Sequence, residues 1–149
     1  MEETLIDPCG MNCGICTGYL AGKYDMASQG VKMRTCAGCR AKRNNPCAFV
    51  KKCELLKSKK VQYCYECTKF PCESLKRLDI RYKQHYHMGE IENHIFLKEN
   101  GMEKFLEREE EKWKCPECGG VISCHDGICY GCGVEKLKVL DDFHRWTND

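Results

Sequence analysis

Five pairs of cysteines, each separated by two residues, constrain this chain more than any other feature of its sequence. The pairs are Cys13/Cys16, Cys36/Cys39, Cys64/Cys67, Cys115/Cys118 and Cys129/Cys132. Two thiolates at this spacing can bind one tetrahedral ion from a single turn, so repeated C-x-x-C motifs are typical of metal sites. The total of 15 cysteines is odd, and the N-terminus has no signal-peptide pattern. We therefore expect reduced, metal-binding thiols in the cytoplasm and not a secreted disulfide framework.

Large apolar residues are too few to build the fold by themselves. Leu, Ile, Val and Phe make up 28 of the 149 residues, a smaller share than chains with an ordinary apolar core contain. The 24 basic and 22 acidic side chains nearly cancel, unlike the charges of a typical disordered chain. No stretch is long and apolar enough for a membrane span. We predict a small metal-stabilised α+β fold with no membrane association.

The cysteines divide the chain into three predicted segments. Residues 1–72 contain ten cysteines and are expected to form a cysteine-rich domain of short helices and knuckles. Residues 73–114 contain none, and their apolar spacing predicts a helical connector. Residues 115–149 contain the remaining five and are expected to form a zinc ribbon followed by a closing helix.

The connector is predicted to contain three helices. The first begins at Glu73 and ends at a break at Met88-Gly89, and the second ends at Asn100-Gly101, a good C-cap pair. The third reaches Trp113, and its glutamates at 109–111 are expected on a solvated face. We expect His85, His87 and His94 to be exposed or packed helix residues.

The clearest motif is CPECGGVISCHDGICYGCG at residues 115–133. It contains two C-x-x-C-G knuckles, in which the glycine permits a turn with positive φ. Residues 121–123 and 128–130 are predicted to be short strands joined at Asp126-Gly127. This pattern predicts a rubredoxin-like β-hairpin that holds one Zn²⁺, with iron as the competing metal. The predicted ligands are Cys115, Cys118, Cys129 and Cys132.

The predicted ribbon contains two further potential ligands beyond the four that one ion needs. We expect Cys124 to be a small buried residue and His125 to be a turn residue. The alternative is a replacement ligand or a redox-sensitive thiol.

The N-terminal cysteines are predicted to bind about two further ions, which gives two to three Zn²⁺ per chain. One grouping places Cys13 and Cys16 with Cys67 and Cys72 or a neighbouring cysteine, and Cys36 and Cys39 with Cys53 and Cys64. The complete set of candidate ligands is Cys9, Cys13, Cys16, Cys36, Cys39, Cys47, Cys53, Cys64, Cys67 and Cys72.

An iron–sulfur cluster is the alternative occupant of the N-terminal segment, because cysteine spacing does not separate cluster ligation from zinc ligation. The spacing of Cys9, Cys13 and Cys16 is that of the cluster-binding triplet of radical S-adenosylmethionine enzymes. The chain is too short for the barrel in which those enzymes bury their cluster. A cluster held by four of the ten thiolates needs no barrel.

Residues 1–72 carry 12 basic and 6 acidic side chains, with aromatic residues close by. Such surfaces occur in zinc modules that bind nucleic acid. However, four thiolates around Zn²⁺ carry a net charge of −2, so two such sites cancel most of the positive excess. We therefore expect a protein partner and retain nucleic acid as the alternative.

Three stretches resemble an uncharacterised family of bacterial and archaeal cysteine-rich proteins: CGMNCGICTGYLA, CAGCR, and KKCELLKSKKVQYCYECTKFPCESLKRLD. The resemblance is best over residues 9–79, and the rest of the chain is similar to longer members with a helical connector and a zinc ribbon. It implies metal binding in the cytoplasm and supplies no reaction.

No nucleophilic triad, phosphate loop or dinucleotide motif is present in the sequence. The leading hypothesis is therefore a non-catalytic multi-zinc adaptor. A catalytic zinc site needs three ligands and a water, and His125 and His87 are its only candidate histidines.

Overall fold

The fold is largely helical in the computed structural model, which describes residues 1–41 and 48–141. Predicted ligand Cys47 and the end of the predicted closing helix, with Phe143 and Trp146, lie outside these residues. Three single 3₁₀ turns are Glu3–Leu5, Cys13–Ile15 and Cys64–Glu66. The helices of the described residues are α1 Thr17–Lys23, α2 Ala48–Lys52, α3 Glu54–Lys57, α4 Glu73–Tyr86, α5 Glu90–Lys112 and α6 Val134–Lys138. Not one of them combines the length and the apolar character that a membrane span requires.

Strand pairing differs from the α+β prediction. In the described part of the chain it is limited to three isolated antiparallel bridges, between Ile6 and Asn12, Lys114 and Val121, and Ile122 and Cys129. The molecule is therefore held by helices, turns and small cores.

The connector helices confirm the predicted breaks. Helix α4 has Cys72 at its N-cap and is followed by His87 in the left-handed conformation, with φ 54°. Helix α5 begins at Glu90, so the predicted break at Met88-Gly89 is confirmed. The predicted second and third helices are continuous except for a kink at Gly101, where φ is 84° and ψ is 170°. Only glycine adopts this backbone conformation at low cost.

We predict that Gly101→Ala lowers the free energy of unfolding by about 1–3 kcal/mol. Because a Cβ at this position would meet no atom within 4 Å, the cost is purely conformational. Gly22→Ala in α1 is the control, since its Cβ would lie 3.7 Å from Thr35. This change should be neutral or stabilise the chain by up to about 1 kcal/mol. Urea denaturation checks both, and equal effects of the two variants would contradict the account.

Small apolar cores join the three segments. One core contains Met11, Ile15 and Leu56 together with Leu75, Tyr86, Trp113 and Cys124. A second packs Leu20, Met26 and Val31 against Ile128, Tyr130 and Leu137. A third contains Ile6, Tyr63, Leu97 and Phe105. Each core thus combines residues that are far apart in the sequence. The division at residues 72 and 114 stays a prediction.

A buried polar network fixes the first cysteine loop to α5. The Asn12 side chain accepts a hydrogen bond from Gly14 N–H at 2.9 Å and donates to Glu109 Oε2 at 3.2 Å. Arg108 donates to Glu109 and to Asn93, and Asn93 donates to the carbonyl of Gly10 at 2.9 Å. Glu109 is only 1% exposed. The prediction that residues 109–111 form a solvated face is therefore wrong for Glu109, because Asn12 and Arg108 satisfy its carboxylate inside the protein.

Removing this carboxylate should destabilise the fold. We expect Glu109→Ala to lower the free energy of unfolding by about 2–3 kcal/mol, because the change leaves Asn12 and Arg108 without their acceptor. The matched control is Glu111→Ala, two positions along the same helix at an exposed site, with an expected change within about 0.5 kcal/mol. Thermal or urea unfolding of both variants tests this, and similar losses would contradict burial of Glu109.

Candidate metal centre

The two C-terminal knuckles bring four thiols together. The Sγ atoms of Cys115 and Cys132 are 3.7 Å apart, and those of Cys118 and Cys129 are 3.5 Å apart. All four Sγ atoms lie within 4.8 Å of one another. In a tetrahedral site with Zn–S bonds of about 2.3 Å, neighbouring sulfurs are about 3.8 Å apart. The cluster could therefore hold one metal ion.

The glycine after each knuckle donates a backbone hydrogen bond to the carbonyl of the first cysteine of that knuckle. Gly119 N–H donates to Cys115 O at 2.9 Å, and Gly133 N–H donates to Cys129 O at 2.8 Å. The positive φ predicted for these glycines is confirmed at Gly119, where φ is 73°. It is wrong at Gly133, whose φ is −97°. There, a Cβ would lie 2.5 Å from Cys129 O, so close approach is what requires glycine.

Backbone amides donate hydrogen bonds to two of the four sulfurs, and such bonds favour the negatively charged thiolate form. The amides of Gly120 and Gly131 donate to Cys118 Sγ and Cys129 Sγ, each at 3.3 Å. The amides of Cys118 and Glu117 lower the pKa of the Cys115 thiol to about 7, whereas desolvation raises the pKa of Cys129 and the neighbouring thiols raise that of Cys132 to about 12. The amide donors favour thiolates, the form that binds metal.

The predicted two-stranded hairpin is not formed, although residues 121–123 and 128–130 face each other and share two backbone hydrogen bonds. Tyr130 N–H donates to Val121 O at 3.1 Å, and Ser123 N–H donates to Ile128 O at 3.0 Å. The pairing stops after the one bridge because the flanking amides are used elsewhere. Gly131 N–H donates to a sulfur, and Cys124 N–H donates to Ile15 O at 3.0 Å.

Cys124 and His125, in the turn between the two C-terminal knuckles, contact the first cysteine motif. Cys124 is completely buried, and burial raises the pKa of its thiol. Thr17 N–H donates to His125 Nδ1 at 3.4 Å, and the His125 ring packs edge-on against Tyr86 at 4.7 Å between centroids. Cys124 thus fits the predicted buried residue. His125 is a packing residue as well as a turn residue.

The Cys36-x-x-Cys39 knuckle packs on the Cys13 turn. Cys39 N–H donates to Cys13 Sγ at 3.4 Å, and Gly38 N–H donates to Cys36 Sγ at 3.4 Å. Cys36 N–H also donates to Gly18 O at 2.9 Å in α1. Three of the predicted N-terminal ligands, Cys13, Cys36 and Cys39, therefore lie in adjoining segments.

A second group consists of Cys53, Cys64, Cys67 and Cys72, which line one cavity. Burial raises the pKa of Cys64 to about 12, and the charges of Cys53, Cys72 and Cys67 contribute in the same direction. The sequence-based grouping divided these four cysteines between two sites. In the structure, α3 and the start of α4 bring Cys53 and Cys72 to the Cys64-x-x-Cys67 turn, and the grouping of ligands around metal ions stays a prediction.

Buried titratable groups lie around Cys9, and the sequence analysis did not single out Asp7 or Glu90 among them. Its thiol donates to Asp7 Oδ2 at 3.4 Å. His94 is completely buried, and burial lowers its pKa to about 4 against the opposing effect of the Cys9 and Pro8 carbonyls. Glu90, the first residue of α5, is also completely buried. Neither of its carboxyl oxygens has a hydrogen-bond partner among the described residues. No sequence pattern marks these positions.

Burial raises the pKa of Glu90 to about 8, and the nearby Asp79 carboxylate adds to this rise. The folded protein therefore keeps a proton that the unfolded chain releases above about pH 4.5, and this group makes stability fall as the pH rises towards 8. Glu90→Gln should remove this dependence and stabilise the protein at pH 8 by roughly 2–4 kcal/mol more than at pH 5. Urea denaturation at both pH values, with the exposed Glu92→Gln as control, measures it. A gain that is equal at pH 5 and pH 8 would contradict it.

Comparison with known proteins finds a family model that matches the N-terminal part of the chain. Residues 5–77 match the family described as "Protein of unknown function (DUF3795)". No curated protein and no solved structure matches the chain. The matched range includes all ten N-terminal cysteines and ends before the C-terminal knuckles. The match supports the resemblance predicted over residues 9–79, and it does not test the predicted zinc ribbon.

Proposed function

We propose that the chain is a non-catalytic metal-binding protein with a structural Zn²⁺ at Cys115, Cys118, Cys129 and Cys132 and further metal at its N-terminal cysteines. The observation that carries this proposal is the position of the four C-terminal Sγ atoms within 4.8 Å of one another. Four sulfurs saturate a tetrahedral ion, so no position is left for a catalytic water. This closed donor set favours a structural role.

The surroundings of the site also support a structural role. The first knuckle lies directly against a packed element. Trp113 at the end of α5 precedes Cys115, and the Trp113 carbonyl accepts a hydrogen bond from Ile122 N–H at 2.8 Å. Val121 N–H donates to the Tyr24 hydroxyl oxygen at 3.1 Å. A metal ion that fixes the knuckles therefore also fixes contacts between distant parts of the chain.

We further propose that the metal-stabilised surface binds a protein partner in the cytoplasm. Nucleic acid is a weaker candidate because basic side chains of the N-terminal segment take part in intramolecular contacts. The Arg40 guanidinium donates to Ile6 O and Gln62 O and lies 4.8 Å from the centroid of the Tyr63 ring. Lys57 forms an ion pair with Glu54.

Metal counting by native mass spectrometry tests the C-terminal zinc site. Relative to the wild-type chain, Cys118→Ser should lose about one zinc ion, because three thiolates and a hydroxyl bind Zn²⁺ far less well than four thiolates. Cys124→Ala, in the same loop, should keep its zinc, since this thiol lies outside the four-sulfur cluster. A Cys118→Ser protein with the full zinc content would refute the proposed site.

A further inference from the structure

A cavity in the N-terminal half is bordered by four thiols. It has a volume of about 300 Å³. Its thiols are those of Cys53, Cys64, Cys67 and Cys72, and the rest of its wall is mainly apolar, with Phe49, Leu55, Leu56, Val61, Phe70 and Leu75. Cys64 is buried, and the other three cysteines are half-buried. Such an apolar shell limits the access of water to a bound metal centre.

One backbone hydrogen bond to sulfur at this cavity has the same spacing along the chain as those in the C-terminal site. Cys67 N–H donates to Cys64 O at 3.1 Å and closes the C-x-x-C turn. Lys69 N–H donates to Cys67 Sγ at 3.4 Å, from two residues further along the chain. Gly120 has the same relation to Cys118, and Gly131 to Cys129. Hydrogen bonds of this kind stabilise the charge on metal-bound sulfur.

Positive charge is available around the four thiols. Cys72 is the N-cap residue of the 14-residue helix α4, and the positive end of a helix favours a thiolate. Lys52 and Lys69 also line the cavity, and the one carboxylate that the described residues contribute to its wall, Glu54, is ion-paired with Lys57. The helix end and the two lysines offset the negative charge that four thiolates would bring to an apolar site.

The thiols of this cavity are spaced more widely than those of the C-terminal site. Among the residues that the structure describes, only the C-terminal cluster has its ligand atoms all within 4.8 Å of one another. Four thiolates on one Zn²⁺ must be about 3.8 Å apart. In an iron–sulfur cluster each thiolate binds a different iron, so the four sulfurs stand further apart around a larger body.

We propose that Cys53, Cys64, Cys67 and Cys72 together ligate a four-iron iron–sulfur cluster in this cavity. The inference deepens the proposed function, and it rests only on the part of that function that assigns metal to the N-terminal cysteines. The zinc content reports on the C-terminal site, whereas iron and acid-labile sulfide report on the cavity. Failure of one assignment is therefore distinguishable from failure of the other.

The test is anaerobic reconstitution of the full chain with ferric iron, a thiol reductant and sulfide in the presence of zinc; the thiol reduces half of the iron, as a cluster with two ferric and two ferrous ions requires. We expect roughly four irons and four acid-labile sulfides per chain, with a broad visible absorbance band. Cys67→Ser should lose at least four-fifths of the iron and sulfide and keep the C-terminal zinc. Cys118→Ser should show the reciprocal result, with less zinc and unchanged iron. Iron retained by Cys67→Ser, or a colourless wild-type protein with zinc and no labile sulfide, would overturn the proposal.

A second measurement on the wild-type chain needs no variant to fold. The reconstituted protein is treated with iodoacetamide before and after anaerobic removal of iron, and the modified cysteines are mapped by mass spectrometry. Cys53, Cys67 and Cys72 are partly exposed, so they should be protected only while iron is bound and become reactive together. Alkylation of these thiols in the iron-loaded protein would contradict cluster ligation.

Discussion

The convergence of four C-terminal thiols is the constraint on which the rest of that region depends. Thiolates at 3.5–3.7 Å repel one another strongly unless a cation lies between them. The amide hydrogen bonds of the two knuckles favour the charged form of the sulfurs and thus increase the need for a cation. With a metal bound, both knuckles are fixed, and the turn between them is held in one orientation.

This orientation matters because the turn contacts the N-terminal cysteine-rich segment. Cys124 N–H binds Ile15 O, and His125 accepts a hydrogen bond from Thr17 N–H. After this turn, Ile128 and Tyr130 pack against Leu20 and Met26. The few large apolar residues of the chain therefore pack in cores to which distant segments contribute. A metal site at one end can stabilise elements at the other.

Local sequence patterns predicted the features that depend on neighbours in the chain. The convergence of the four C-terminal thiols follows from two short knuckles, and the break at Gly89 and the kink at Gly101 follow from helix-terminating residues. The grouping of the N-terminal cysteines could not be predicted in this way, because Cys53 and Cys72 reach the Cys64 turn through the packing of separate helices. The same reason explains Glu109. It is one of three consecutive glutamates, and its burial depends on Asn12, far away in the sequence.

Amide hydrogen exchange of the zinc-loaded and zinc-depleted chain tests the central claim most directly, namely that the C-terminal metal stabilises a core shared with the N-terminal segment. We expect removal of zinc to lower protection both at residues 113–133 and at residues 20–31, since Leu20, Met26 and Val31 pack on Ile128 and Tyr130 at the second knuckle. Loss of protection confined to residues 113–133 would contradict this coupling.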